Sequence, residues 1–156
     1  MTRISGENQL WQGPDRHPRL WTVVLVEDNP HDVALVRLSL KDAGVNCVLR
    51  VLADGDEAIA FIENLDRDFS QPAIDLLLLD LNLPRRGGEE VMARLRSMKR
   101  IAQTPVMVIT GSNSPRVRET AQKNAAVGCF QKPADFAEYM RLATCVRDFF
   151  KQGAGS

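Results

Sequence analysis

The sequence predicts an α/β fold: a doubly wound, five-stranded parallel sheet in the order 2-1-3-4-5, with helices on both faces. Three observations carry this. Apolar runs with strand character alternate with helix-period segments five times along the chain. The middle run, 74–79, is apolar except at Asp75, as expected for a central parallel strand buried on both faces. Four of the runs also end on polar groups: 23–26 on Glu27 and Asp28, 74–79 on Asp80, 106–109 on Thr110, and 127–131 on Lys132 and Pro133. In an open α/β sheet, ligands bind in the crevice beyond the carboxyl ends of the strands.

Each element has a local reason. Residues 1–19 are polar, broken by Gly13, Pro14 and Pro18, and read as a tail or arm. A strand over 22–26 precedes a helix over 30–43, where Val33, Val36, Leu40 and Ala43 form one stripe and Gly44 marks the stop. A second strand over 47–52 leads to Asp54, which can cap a helix carrying Ala58, Ile59, Ile62 and Leu65. A polar loop over 66–72 separates it from the middle strand. Gly87 and Gly88 open a helix with Val91, Leu95 and Met98, and the fourth strand begins at Val106. Ser114 and Pro115 form a cap and first-turn proline for a helix over 116–125. After the fifth strand, Asp135 can cap a last helix ending near Phe150. The body is thus expected over 20–150, with 151–156 as a C-terminal tail.

Composition narrows the function. The chain has 156 residues, 44% hydrophobic and 26% charged, enough for one real core. Lys+Arg and Asp+Glu are both 20, so no overall field favours nucleic acid or an anionic membrane. No apolar stretch reaches membrane-spanning length and the start lacks the apolar core of a signal peptide, so a cytoplasmic protein is expected. Cys47, Cys129 and Cys145 are widely spaced and odd in number, which argues against a disulfide framework or a zinc site; they read as small buried thiols.

The strand ends carry the chemistry. They would gather three carboxylates, a hydroxyl and an ammonium at one spot, a set that suits a divalent cation and a phosphoryl group. The run from Asp80 through Asn82 and Pro84 to Gly88, together with Glu27-Asp28, Thr110-Gly111 and Lys132-Pro133, resembles the receiver domain of two-component response regulators over residues 21–150. Each motif is weak alone; in order, each at a strand end, they are specific. The resemblance implies a flavodoxin-like three-layer sandwich. It also implies that Asp80 accepts a phosphoryl group from a histidine kinase, with Thr110 and Lys132 assisting and Asn82, Thr110, Gly111 and Lys132 around the phosphate. Mg²⁺ would be held by Asp28, Asp80 and the Asn82 backbone carbonyl, with Glu27 acting through water. Such a protein is a signalling phosphoacceptor rather than an enzyme.

The chain departs from the family pattern in two places. Many receivers carry an aromatic three positions before the lysine; Cys129 stands there, and strand alternation turns the neighbouring Phe130 to the other face. Gly87 occupies a position where many members carry Asp. A narrower resemblance, from the long 66–72 loop, the segment after Lys132 and the aromatic C-terminus, is to stand-alone regulators that partner phytochrome-type kinases. A second stripe on the last helix, Leu142, Cys145 and Phe149, reads as core or as a homodimer seam.

Blander readings exist for individual residues. Arg85 and Arg86 read as solvated, His31 as solvent-facing, and Arg94, Arg96, Lys99 and Arg100 as cations favoured at a helix C-terminus. Trp11 and Trp21 would pack the arm onto the body or a partner. Two rival functions share the fold. A haloacid dehalogenase phosphatase needs a second acid two positions after the nucleophile, where Asn82 stands. A flavodoxin-like redox protein needs a glycine- and hydroxyl-rich loop after the first strand, where Glu27 and Asp28 would repel phosphate. A third alternative is a receiver-like scaffold that binds without being phosphorylated.

Overall fold

The computed structural model describes residues 19–111 and 114–155. The elements are β1 (Trp21–Val26), α1 (Pro30–Asp42), β2 (Cys47–Leu52), α2 (Gly55–Arg67), β3 (Leu76–Asp80), α3 (Gly88–Arg96), β4 (Val106–Thr110), α4 (Pro115–Lys123), β5 (Gly128–Gln131) and α5 (Phe136–Gly155). All strand pairs are parallel and the order is β2-β1-β3-β4-β5, as the alternation predicts. The register aligns Val26 with Leu79 and Asp80 with Ile109, so β1, β3 and β4 finish at one rim of the sheet.

The two faces of the sheet build two cores. Val24, Val26, Leu77, Leu79, Val106 and Val108 pack on α2, α3 and Ala121 of α4. Val23, Leu25, Leu76, Leu78, Met107 and Ile109 pack on α1 and α5. Side-chain alternation along each strand separates the two sets. Because β3 is buried on both faces, every one of its residues is apolar until the rim, where Asp80 stands.

Caps set the helix boundaries. The Asn29 side chain accepts from His31 and Asp32, with Pro30 at the first helical position. Gly44, at φ +78°, ends α1: its N–H donates to Lys41 O while Val45 N–H donates to Leu40 O. Asp135 caps α5 through Glu138 N–H, and the Glu138 carboxylate reaches back to accept from Ala134 N–H, just before the cap. At its other end α5 runs through Gly155, beyond the end expected near Phe150, so residues 151–155 continue the helix rather than leaving it as a tail.

Several sequence readings need correcting. None of the three cysteines is buried: Cys47 is intermediate, while Cys129 and Cys145 are exposed. Cys129 is an outward-facing residue of edge strand β5, whereas Cys47, on edge strand β2, is half-buried against the core. Leu142 belongs to the core, which leaves exposed Cys145 and half-buried Phe149 as the rest of the second stripe on α5. Of the basic set, Arg94 and Arg96 do stand in the last turn of α3, while Lys99 and Arg100 lie beyond it, and the guanidiniums have further partners. Arg96 donates to the carbonyls of Ala102, Thr104 and Asn124, and Arg100 to those of Leu65, Asp68 and Gln71. The 66–72 loop is thus pinned to the α3–β4 connection. Asp66 reinforces it by accepting from the N–H groups of Lys99, Arg100 and Ile101. Arg85 and Arg86 are exposed but paired with Asp54 and Asp56.

The polar arm expected over 1–19, with Trp11, lies outside the described residues except for Arg19. That residue pairs with Asp75 at 2.9 Å and sits 4.0 Å over the Trp21 ring. Trp21 stacks on Phe150, centroids 4.2 Å apart, which fastens the start of β1 to α5. Among the described residues no helix is long and apolar enough to cross a membrane.

Candidate functional site

The rim formed by β1, β3, β4 and β5 collects the residues expected from the sequence. Glu27 follows β1 and is buried; its N–H donates to Leu52 O, continuing the ladder with β2, and its Oε2 accepts from Asn29 N–H at 3.0 Å. Asp28, next in the chain, is exposed. Asp80 closes β3 and is only 4% exposed; its Oδ1 accepts from Asn82 N–H at 2.8 Å, which fixes the carboxylate plane. Glu27, Asp28 and Asp80 each offer an oxygen within 4.8 Å of the other two.

Thr110 closes β4 and is buried. Lys132 N–H donates to Thr110 O at 2.7 Å, one residue past the last β4–β5 pair, so the ladder itself places the lysine beside the threonine. Gly111 borders open space: a Cβ there would meet nothing within 4 Å, which leaves room for an anion to approach the backbone. Two other glycines are set by close approach. At Gly55 a Cβ would collide with the backbone carbonyl of Arg86, and at Gly88 with Leu81 Cα at 2.6 Å, so both hold the loop after Asp80 against its neighbours.

Lys132 Nζ lies 3.0 Å from Glu27 Oε1, 3.2 Å from Asp80 Oδ2 and 3.0 Å from Asp32 Oδ2. An ammonium has three N–H donors, and here each has a carboxylate to meet. Burial works against the charged amine, but hydrogen bonds to Glu27 and Asp32 and the charge of Asp80 outweigh it and hold Lys132 above the usual lysine range. Burial also pushes the Glu27 carboxyl up, against the opposing pull of Asn29 N–H and Lys132. Asp32 was not singled out from the sequence. Its second oxygen accepts from Tyr139 Oη at 3.0 Å, and burial, followed by this bond, raises the Tyr139 phenol so that it stays protonated.

Phe130 packs with the β-sheet face that carries α1 and α5, while Cys129 is exposed. The alternation expected from the sequence therefore holds: Phe130 does not share the face of Cys129.

The donor set is all oxygen, charged and clustered at the mouth of the crevice, with one exposed member through which an ion can enter. This fits a hard divalent cation that retains some of its waters. If these carboxylates hold Mg²⁺, the ion should raise the melting temperature by about 5 °C or more at a hundredfold excess over its Kd. Asp28→Asn should abolish that rise without lowering stability in chelator, since Asp28 is exposed. Thermal melts with and without Mg²⁺ check this; an undiminished rise in the variant would remove Asp28 from the site.

Comparison with known proteins agrees with the geometry. Response regulator Rcp1 of Synechocystis sp. is 37% identical over 92 residues, a match covering 59% of this chain and 63% of the length of that protein. Among solved structures, the Mn²⁺-bound form of Rcp1 superposes with a TM-score of 0.73 at 28% identity, covering 83% of this chain and 94% of that one. The phosphorylated cyanobacterial phytochrome response regulator RcpA gives a TM-score of 0.74 at 26% identity, with 84% and 94% covered. The model of the response regulator receiver domain matches residues 23–144, and the chain belongs to that family.

Proposed function

We propose that this receiver domain accepts a phosphoryl group on Asp80 from a phosphohistidine of a sensor kinase and signals by changing its protein contacts. The observation that carries this reading is Asp80 itself: a buried strand-end carboxylate held by a backbone N–H on one oxygen and by Lys132 on the other, with two further carboxylates alongside. A carboxylate oxygen of Asp80 attacks phosphorus, the phosphorus–nitrogen bond of the donor breaks, and its electron pair returns to the imidazole. The product is an acyl phosphate. The transition state is loose, so the protein's contribution is to position groups and neutralise charge.

The chain's own groups divide that work. Asn82 N–H fixes the rotamer of the nucleophile before the donor arrives. Lys132 passes a hydrogen bond from Asp80 Oδ2 to a phosphoryl oxygen, and Thr110, beside it, supplies a hydroxyl to the same group. Gly111 admits the phosphate to the backbone. Bound Mg²⁺, with Glu27, Asp28, Asp80 and the Asn82 carbonyl as its ligand set, would supply the remaining positive charge; Mn²⁺ in the Rcp1 structure supports a divalent ion at such a site.

A phytochrome-type histidine kinase is the donor that the similarity to RcpA favours. A second copy of the chain packing along α5 is the contact proposed for output, with Cys145 and Phe149 as the surface α5 offers. The test is the intact mass after incubation with acetyl phosphate, with and without Mg²⁺, followed by location of the modified peptide. The expected result is a Mg²⁺-dependent gain of one phosphoryl group on the peptide containing Asp80. No gain from acetyl phosphate or from a phosphorylated kinase would leave the fold in place and make the chain a scaffold. Light scattering on the same samples tests the dimer, which unchanged mass on phosphorylation would reject.

A further inference from the structure

Of the three contacts that hold the Lys132 ammonium, two belong to groups that must change partners in the reaction just proposed. Asp80 would become the acyl phosphate, and Glu27 is one of the carboxylates that would hold the cation. The third, Asp32 Oδ2 at 3.0 Å, belongs to neither the nucleophile nor the cation-binding group. Asp32 stands in the first turn of α1, and its remaining oxygen is held at 3.0 Å by the hydroxyl of Tyr139, from the first turn of α5. Tyr139 is 2% exposed, its ring packed in the core between sheet, α1 and α5. A core residue therefore fixes a half-buried carboxylate, and that carboxylate fixes the lysine.

We infer that Asp32 and Tyr139 are positioning residues for Lys132, keeping its ammonium over Asp80 while the contacts to Asp80 and Glu27 are exchanged for the phosphoryl group and the cation. The need arises from the lysine itself, a point charge on a flexible four-carbon stem that loses rotamer entropy whenever it is held in one place. Small displacements of a charge-stabilising group cost rate steeply. The simpler account makes Asp32 an acid favoured at a helix N-terminus and Tyr139 a core residue with a satisfied hydroxyl. That account gives neither residue an effect transmitted through Lys132. The inference rests on Asp80 being a phosphoacceptor.

The test is the rate of phosphoryl gain from acetyl phosphate in saturating Mg²⁺, followed by intact mass, for the parent, Asp32→Asn and Tyr139→Phe, each also combined with Lys132→Ala. Asp32→Asn is expected to slow the parent by about tenfold and Tyr139→Phe by about threefold, and neither should slow the Lys132→Ala protein further. The Mg²⁺ concentration that half-saturates the melting shift should be unmoved in both, since neither residue is a ligand. Tyr139→Phe keeps the ring in the core, so its result stands if Asp32→Asn folds poorly. Parental rates in both variants, or equal slowing with and without Lys132, would overturn the pair as positioning residues while the phosphoacceptor survives. A parent that gains no phosphoryl group overturns both.

Discussion

Asp80→Asn is expected to gain no phosphoryl group from any donor while remaining as stable as the parent in chelator, or more so. The amide of Asn is not a nucleophile toward phosphorus at neutral pH, so the loss should be complete rather than graded. Stability should not fall with it. Asp80 and Glu27 are both 4% exposed, each within 4.8 Å of the other's carboxylate, with one ammonium between them. Two like charges about 4 Å apart repel by roughly 1 kcal/mol in water and about 4 at an effective dielectric of 20. Replacing one of them with a neutral isostere relieves that repulsion, while Lys132 keeps Glu27 and Asp32. The side-chain oxygen of Asn can still accept from Asn82 N–H. Intact mass and a thermal melt on the same sample separate the two effects. A Mg²⁺-dependent mass gain in the variant would move the phosphoacceptor to another side chain, and a large drop in melting temperature would mean that Asp80 is a structural counterion.

Much of this site was legible because parallel sheets concentrate chemistry at one rim. The apolar run before Asp80 is the pattern expected of a strand buried on both faces, which puts the first charged residue after it at the strand's end. The same reasoning places Glu27, Thr110 and Lys132, and the right-handed crossovers then bring them together without any knowledge of the side chains. Asp32 escaped because it lies one turn into a helix, where an acidic residue already has a sufficient explanation in the helix dipole. Tyr139 gives no separate signal because its aromatic body accounts for its place in the core. A signal was nonetheless present. In the 2-1-3-4-5 order α1 and α5 share a face, and first-turn residues of both helices lie at the strand-end rim.

Other features depend on approaches that no local pattern encodes. Gly55 reads as the residue after a helix cap, yet its lack of a side chain is required by the Arg86 carbonyl from the loop after Asp80. Arg96 stands in the last turn of α3, yet its donors, like those of Arg100 beyond the helix, serve carbonyls from separate segments that helix and strand ladders leave over. The exposure of Cys129 has a related reason: apolar character alone does not tell an edge strand from a central one, and only the edge strands turn alternate residues to solvent.

Lys132→Ala is expected to be the most damaging single change, to stability and to chemistry by different routes. Without the ammonium, Glu27 and Asp80 remain buried and close with no cation between them, and breaking a buried pair from one side costs about 3–5 kcal/mol. In a domain of this size that corresponds to a fall of about 10 °C or more in chelator. The raised Lys132 pKa gives the sign of the pH dependence. A lysine held above its ordinary range stabilises fully below the unfolded value of about 10.5 and loses its effect only as pH rises through the folded value. The gap between parent and variant should therefore persist throughout the neutral range. It should narrow at acid pH for a second reason: Glu27, whose carboxyl burial pushes up, takes up a proton there and no longer needs a counterion. Added Mg²⁺ should recover part of the loss in the variant, since the cation neutralises the same carboxylates. Chemistry should not recover with it. Loss of one preorganised charge-stabilising donor typically costs about 10²–10³ in rate, and the same fall is expected for phosphoryl gain from acetyl phosphate. Lys132→Arg separates the two routes: it keeps a positive charge among the carboxylates and should restore most of the melting temperature. Its planar fork does not place one donor where three acceptors converge, so the rate should remain low. A Lys132→Ala protein that melts with the parent in chelator would show that the carboxylates tolerate one another without the lysine, and the electrostatic account of the rim would fail.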